Sequence, residues 1–225
     1  LGWQIVSSAV SKYVASPLAW VFGQRQQREW LWQDGVTKEN ADGVRDMLFR
    51  EFEFLEPLFE KQAYLLGSHP SAADFGYFAS MFRHFGNDPE SAEIMRRCAP
   101  NTYEWTARLW NAKVSKLPTG QHWHWPEGEH WAGLLSRIAK DYLPYLHQNA
   151  LAHKQGQKTF DHVGATFTFK KTKTTTYRVW CREVLQQRFN ALSPQDKNRV
   201  TELFSPYGGL SSLQADGVIE SGLAE

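Results

Sequence analysis

The stretch Gly67 to Gly86, GSHPSAADFGYFASMFRHFG, carries a full set of helix-start signals followed by one run of aromatic residues at helical spacing. Ser71 stands where an N-cap belongs. Its hydroxyl can accept from the Asp74 backbone N–H while the Asp74 carboxylate reaches back to the Ser71 N–H, so two donors that a helix start leaves orphaned are satisfied together. Pro70 and Phe75 occupy the two positions of a hydrophobic staple. Phe75, Phe78, Phe82 and Phe85 then recur every three or four residues, which predicts one wholly aromatic, buried side.

Working outward, Asp34-Gly35 is a turn signal and Thr37 an expected N-cap for a helix whose stripe is Val44, Leu48, Phe52, Leu55 and Phe59, bent near Pro57 and ended by Gly67. On the other side, Gly86 closes the central helix. Asp88-Pro89 reads as a cap with Pro at the first helical position, opening a short helix through Ile94 and Met95 that stops before Pro100. Asn101 is expected to cap the next helix, which carries Tyr103, Ala107 and Trp110.

Leu65-Leu66-Gly67 followed by Pro70-Ser71-Ala72-Ala73-Asp74-Phe75 resembles the centre of the C-terminal, all-helical domain of the glutathione S-transferase family, whose core helix opens with a Ser/Thr-x-x-Asp box after a Leu-Gly turn. The match extends over roughly Val36 to Asn111. It implies an all-α fold in which Ser71 and Asp74 form a structural capping box. It also implies that the chain furnishes the apolar second-substrate wall and part of a dimer face. In the family, glutathione is bound and its thiol activated by a thioredoxin-like N-terminal domain, through a Tyr, Ser or Cys. No β-α-β alternation matches that half here, so the thiol-activating residue is expected outside this chain or absent from the protein. The opening at Leu1, already in an amphipathic pattern, reads as a fragment or processed product. No residue of this chain is assigned a catalytic role, and glutathione is expected as a cofactor of the parent protein only.

Before the turn at Asp34, apolar residues from Trp3 to about Trp32 fall mostly on helical spacing, with Pro17 as a kink. By its place in the chain, this helix pair corresponds to the floor of the family's apolar cleft. Tyr13, Trp20 and Phe22 are therefore the candidate substrate-binding residues, with Trp30 and Trp32 nearby; for any one of them a place in the core is the favoured reading, and a cleft or interface role shares the rest. Surplus Trp and Tyr suit interfaces as well as cores, and the chain has 10 Trp.

Past Asn111, a loop rich in Pro, Gly, His and Trp precedes a helix expected from about His130 to Leu146, with Trp131, Leu134, Leu135, Ile138 and Tyr142 inward. The period then becomes two. Val163, Ala165, Phe167 and Phe169 alternate with Thr166 and Thr168, which predicts a small β-hairpin near residues 160–177 with Lys170 to Lys173 as its charged turn. A helix with Tyr177, Cys181, Val184, Leu185 and Arg188 on one face follows. Ser193-Pro194-Gln195-Asp196 caps a last one. The expected organisation is a helical core over 1–149, with 150–225 completing the same domain and a tail fraying after about 206.

Composition narrows the function classes. There are 25 Lys plus Arg against 24 Asp plus Glu, with scattered signs, so the charge offers no footprint for nucleic acid or an anionic membrane. No uninterrupted apolar run reaches the ~18 residues of a membrane span. Cys98 and Cys181 make no disulfide framework, and a cytoplasmic setting is expected. Cys181 lies between Arg178 and Arg182, but its helical position reads as packed and inert. Cys98 faces an opposing helix dipole. His122, His124 and His130 are spaced as a conceivable metal constellation, yet their Trp-rich loop lacks Cys and has few acids, and no metal is assigned. The expected partners are a small apolar electrophile or a protein, with a homodimer the favoured assembly. The alternative is a non-catalytic protein-assembly or apolar-ligand-binding module on the same fold.

Overall fold

A computed structural model describes residues 12–120 and 123–223. Apart from one two-stranded antiparallel sheet, the regular structure among the described residues is helical. The chain forms two compact units. One takes in the chain up to Gly23 and Arg45–Gly128; the other takes in Gln24–Val44 and Glu129–Glu225. The expected partition at residue 149 differs from this one, which divides the chain at Gly128 and gives the segment after Gly23 to the second unit.

Helix α1 spans Lys12–Gln26, tolerates Pro17 in its interior, and passes into a wide π turn at Gln27–Leu31. Helix α2 spans Ala41–Phe59 with Pro57 in its last turn. It starts after the expected position at Thr37, because the Asn40 side-chain oxygen accepts from the Thr37 N–H at 2.7 Å and folds those residues into a turn. Helix α3 covers Ala72–Ser80 and runs into a π turn at Met81–Gly86. Helix α4 is Pro89–Cys98, with Asp88 as N-cap and Pro89 at the first helical position. Helix α5, Pro100–Trp110, buries Thr102, Trp105, Thr106 and Leu109, a three-and-four spacing that presents one face inward.

The core of the first unit includes Phe52, Leu55, Leu58, Phe59, Leu65, Met81, Met95 and Trp105. The aromatic stripe of α3 is only partly in it. Phe78, Phe82 and Phe85 are half-buried, and Phe75 is 60% exposed. Helix geometry gives the reason: each residue turns about 100°, and the inward direction is set by Asp74 and Met81, which lie nearly one above the other. Phe75 falls about a quarter-turn away. A ring so exposed cannot form the buried half of a staple with Pro70.

In the second unit, α6 (Glu129–Arg137), a π turn (Ile138–Tyr142) and α7 (Leu143–Lys154) form one longer helical path than expected. The extra residue in the π turn rotates the inward face, so Asp141 is buried and Tyr142 is 46% exposed, the reverse of the sequence expectation. Strands β1 (Thr159–Val163) and β2 (Thr168–Lys173) make the hairpin. Its turn is at Gly164–Phe167, closed by Gly164 N–H donating to Phe167 O at 2.9 Å. The lysine cluster therefore lies in β2 and not at the turn, and the inward residues of β1 are Phe160 and His162, whereas Val163 is 71% exposed.

The hairpin is also an anchor for the chain after α1. Lys173 N–H donates to Gln33 O at 2.8 Å, Asn40 Nδ2 to Thr168 O at 3.4 Å, and Arg178 pairs with Asp34 at 2.7 Å. Gly35 makes the close approach possible: at φ +84° it holds a left-handed conformation, and a Cβ there would lie 2.5 Å from Thr172 Oγ1.

Helix α8 (Thr176–Ala191) buries Val179, Arg182 and Gln186, while Tyr177, expected inward, is 64% exposed. Helix α9 (Pro194–Phe204) is capped by Ser193, whose hydroxyl accepts from Asp196 N–H at 3.1 Å. A short helix α10 (Ser211–Gln214) follows. In the tail expected to fray after about 206, the described residues run to 223 and include packed ones. Leu210 and Leu213 pack on Leu143, and Ile219 packs with Ala150 and Val179. Among the described residues, no helix is long and apolar enough to cross a membrane.

Candidate functional site

The candidate residues from the first helices meet different fates. On α1, Leu18, Trp20 and Val21 are 43%, 68% and 56% exposed, and Phe22 is half-buried. Leu18 and Val21 share one side of the helix, and Trp20 stands about 200° round from Leu18. The Tyr13 and Trp30 side chains, like His122, lie outside what the structure describes. Trp32 is 50% exposed.

A second aromatic surface was missed in the sequence. Phe78 stacks on Phe82 with centroids 4.9 Å apart, and Phe82 stacks on Trp110 at 4.8 Å, leaving Trp110 65% exposed at the end of the ladder. Aromatic spacing on α3 was visible, but that Trp110 from α5 continues it depends on how those helices pack.

The capping box of α3 is formed, and it does more than cap. Asp74 has no exposed surface. Its Oδ2 accepts from Ser71 N–H at 2.9 Å and Ser71 Oγ–H at 2.7 Å, and its Oδ1 accepts from Leu65 N–H at 2.8 Å and Trp105 Nε1–H at 3.1 Å. Four donors on one carboxylate leave little capacity for chemistry. It ties the turn before α3 to the indole at the centre of α5. The N-terminus of α5 has a comparable device. Ala99 is its cap residue and provides no side-chain bond; instead Glu56 of α2 accepts from the backbone N–H groups of Asn101 and Thr102 at 2.9 and 3.0 Å. Asn101, expected as the cap, lies inside the helix and donates its own amide to Glu56 at 2.8 Å.

The second unit holds two further buried polar centres. Under the hairpin, Asp141 accepts from Thr166 N–H and Oγ–H at 3.0 and 2.8 Å, and the fully buried His162 places Nδ1 2.9 Å from Gln148 Oε1. Burial holds the His162 imidazole below its ordinary titration range, against the pull of the Asp141 charge. Near the C-terminus, Arg182 and Gln186 donate to the backbone carbonyls of α10 and of the residues just after it. His147 lies 3.2 Å from Asp216, but burial first, then the Arg182 charge, hold it low and outweigh that carboxylate. The contact is therefore not an ion pair at neutral pH.

A cleft of about 120 Å³ lined by Gln186, Phe189, Leu213 and Val218, among others, is smaller than the ~300–1,000 Å³ that encloses a drug-sized ligand. Cys98 is exposed and Cys181 half-buried, both as free thiols. His124 and His130 are exposed. Among the described residues no group of His, Cys, Asp and Glu is arranged to hold a metal ion.

Residues 13–112 match the family model of the glutathione S-transferase C-terminal domain. No curated protein and no solved structure matches the chain. Residues 13–112 are thus similar to the glutathione S-transferase C-terminal domain, and the mostly helical fold is consistent with that family.

Proposed function

We propose that this glutathione S-transferase C-terminal-like chain supplies the apolar-ligand-binding and dimer-forming part of a glutathione S-transferase-like protein. Attack by glutathione sulfur on a small apolar electrophile, where the parent protein performs it, then depends on a thioredoxin-like domain. The observation that carries this reading is the exposure of Trp20, with Leu18 and Val21 exposed on the same helix, within the stretch that matches the family. Large aromatic side chains bury about 150–250 Å² when covered, a gross gain of about 4–6 kcal/mol at about 25 cal/mol per Å² that contributes to association against its entropic cost. The two free thiols suit a reducing, cytoplasmic setting.

The described polar groups support a binding role. Asp74 and Glu56 are saturated by structural donors, and neither lies free to act as a base. The Phe78–Phe82–Trp110 ladder, half-buried at both phenylalanines and exposed at Trp110, favours a second reading, a non-catalytic assembly module that uses aromatic surface to hold a protein partner.

The test uses Trp20→Ala and Trp110→Ala in the full chain. Anilinonaphthalene sulfonate titration and sedimentation velocity are read in parallel, with retention on immobilised glutathione as a third arm. Trp20→Ala is expected to weaken fluorophore binding or dimerisation severalfold. Trp110→Ala is expected to leave both near the parent value. The chain should pass through the glutathione column. Equal behaviour of Trp20→Ala and the parent removes the α1 assignment, retention on glutathione removes the division of labour, and an effect confined to Trp110→Ala selects the assembly module.

A further inference from the structure

We propose that the β1–β2 hairpin is an acid-released latch, with His162 as its trigger and the segment Gln33–Asn40 as what it releases. The imidazole is wholly buried, and its Nδ1 faces Gln148 Oε1 at 2.9 Å, an acceptor, so the proton of the neutral ring sits on Nδ1. Nε2 then presents a lone pair and has no hydrogen-bond partner. The ring is packed edge-on to Tyr145 with centroids 5.2 Å apart and against Phe167 at 5.3 Å.

A proton arriving at Nε2 creates a buried donor and a buried charge. From the Ile138–Tyr142 turn the charged group facing it is Asp141. Helix α7 contributes the Tyr145 phenol and neutral Gln148, and the hairpin turn contributes Phe167. Arg178 of α8 lies over the Tyr145 ring, 5.2 Å from its centroid. Asp141 already accepts two bonds from Thr166 and lies across Gly164. A Cβ on that glycine would overlap Asp141 Oδ1 and stand 2.7 Å from His162 Nε2. Asp141 Oδ1 and His162 Nε2 thus crowd the same side of Gly164, where only a glycine leaves room for both, so a charge arriving at Nε2 acts directly on the Asp141–Thr166 bonds that hold the Gly164–Phe167 turn, and that turn sets the hairpin.

The direction follows from burial. Burial depresses the His162 pKa more than Asp141 restores it, so the contribution of His162 to stability is full above the unfolded value of about 6.5 and is lost as pH falls below it. The hairpin is docked at neutral pH and loosens in mild acid. Its bonds to Gln33 and Asn40, and the Arg178–Asp34 pair beside it, are then weakened together.

Amide hydrogen exchange at pH 7.5 and 5.5, corrected for intrinsic rates, tests the latch in the full chain. Protection over 159–163, 168–173 and 33–40 should fall severalfold at the lower pH, relative to α7 and α8. His162→Asn keeps a donor for Gln148 but cannot titrate, and it should abolish that difference. His147→Gln removes the other low-titrating imidazole of this unit and should leave the difference intact. No loss in the parent, the same loss in His162→Asn, or its disappearance in His147→Gln overturns the proposal. Should His162→Asn fail to fold, proton NMR of the parent decides. His162 must titrate below about 6.5 with hairpin amides shifting in step, and a midpoint at or above that value, or indifferent amides, overturns it.

Discussion

Asp74 and Arg182 are both buried charged residues, and they are held in opposite ways. Asp74 accepts from donors at the start of α3, at Leu65 and at Trp105, with two of its four bonds coming from Ser71, three residues away. Arg182 donates to the carbonyls of Ser212, Leu213, Ala215 and Gly217, which lie 30 to 35 residues along the chain, and to Gln186 Oε1. The carboxylate sits at a helix N-terminus, where backbone N–H groups favour an anion. The guanidinium sits at the C-terminal carbonyls of α10, where they favour a cation. Burial pulls the Arg182 pKa down while Asp216 pushes back. Each centre fixes a segment that would otherwise be a loose connection: the turn before α3 in one unit, the chain end in the other. A buried charge can be read from sequence when part of its satisfaction is local, and cannot when all the segment it serves is distant.

The comparison breaks most visibly at Arg182. Arg182→Ala takes their side-chain donor from the half-buried Ser212 and Ala215 carbonyls, leaves Gln186 alone on those of Leu213 and Gly217, and opens space under the chain end, at an expected cost of about 3–5 kcal/mol. Urea unfolding should show that loss. Limited proteolysis should find new cleavage within 205–223 while the first unit stays resistant. An unchanged midpoint with an uncut tail shows that the apolar anchors Leu210, Leu213 and Ile219 hold the segment without the guanidinium.

Asp74→Ala is the matching experiment in the first unit. If Asp74 were only a cap, the cost would be about 0.5–2 kcal/mol. Because Leu65 N–H and Trp105 Nε1–H also lose their buried acceptor, the expected cost is about 3 kcal/mol. Trp105 stacks on Phe59 at 4.7 Å, so its fluorescence is expected to report the change. A loss inside the cap range shows that the two longer-range bonds contribute nothing net.

The same logic explains what could be read in advance. Ser71–Asp74, Asp88-Pro89 and Ser193–Asp196 are start signals within four residues of their own helices, and each was legible. The α5 cap was not, since Glu56 lies 45 residues from Asn101 and ordinary spacing rules gave the role to Asn101 itself. Periodicity placed Tyr177 and Cys181 on the inward face of α8, because Arg182 and Gln186 look like solvent residues until the segment they bind is known. Hairpin existence was legible from alternation, but its register was not: Gly164 is needed beside Asp141, and Asp141 turns inward only through the π turn. Of the candidate ligand residues, the sequence could name Trp20 and Phe22 by chain position. It could not show that Trp110 would extend the Phe78–Phe82 stack.

Ser71→Ala makes the smallest and sharpest test of how Asp74 is held. The substitution removes the Oγ–H bond to Asp74 Oδ2 at 2.7 Å and the acceptor for the Asp74 N–H, a long contact at 3.4 Å. The Ser71 backbone N–H, Leu65 and Trp105 still satisfy the carboxylate, so the expected cost is about 1 kcal/mol. Combining it with Asp74→Ala isolates the local part of the network: with the carboxylate gone, removing the hydroxyl should cost only a few tenths of a kcal/mol. Full additivity in that double-mutant cycle, read by urea unfolding, would show the Ser71 hydroxyl acting on the helix start independently of Asp74. Asp74 would then be a tertiary tie between the Leu65 turn and Trp105 more than a member of a cap, and closer in kind to Arg182 than its position in the sequence suggests.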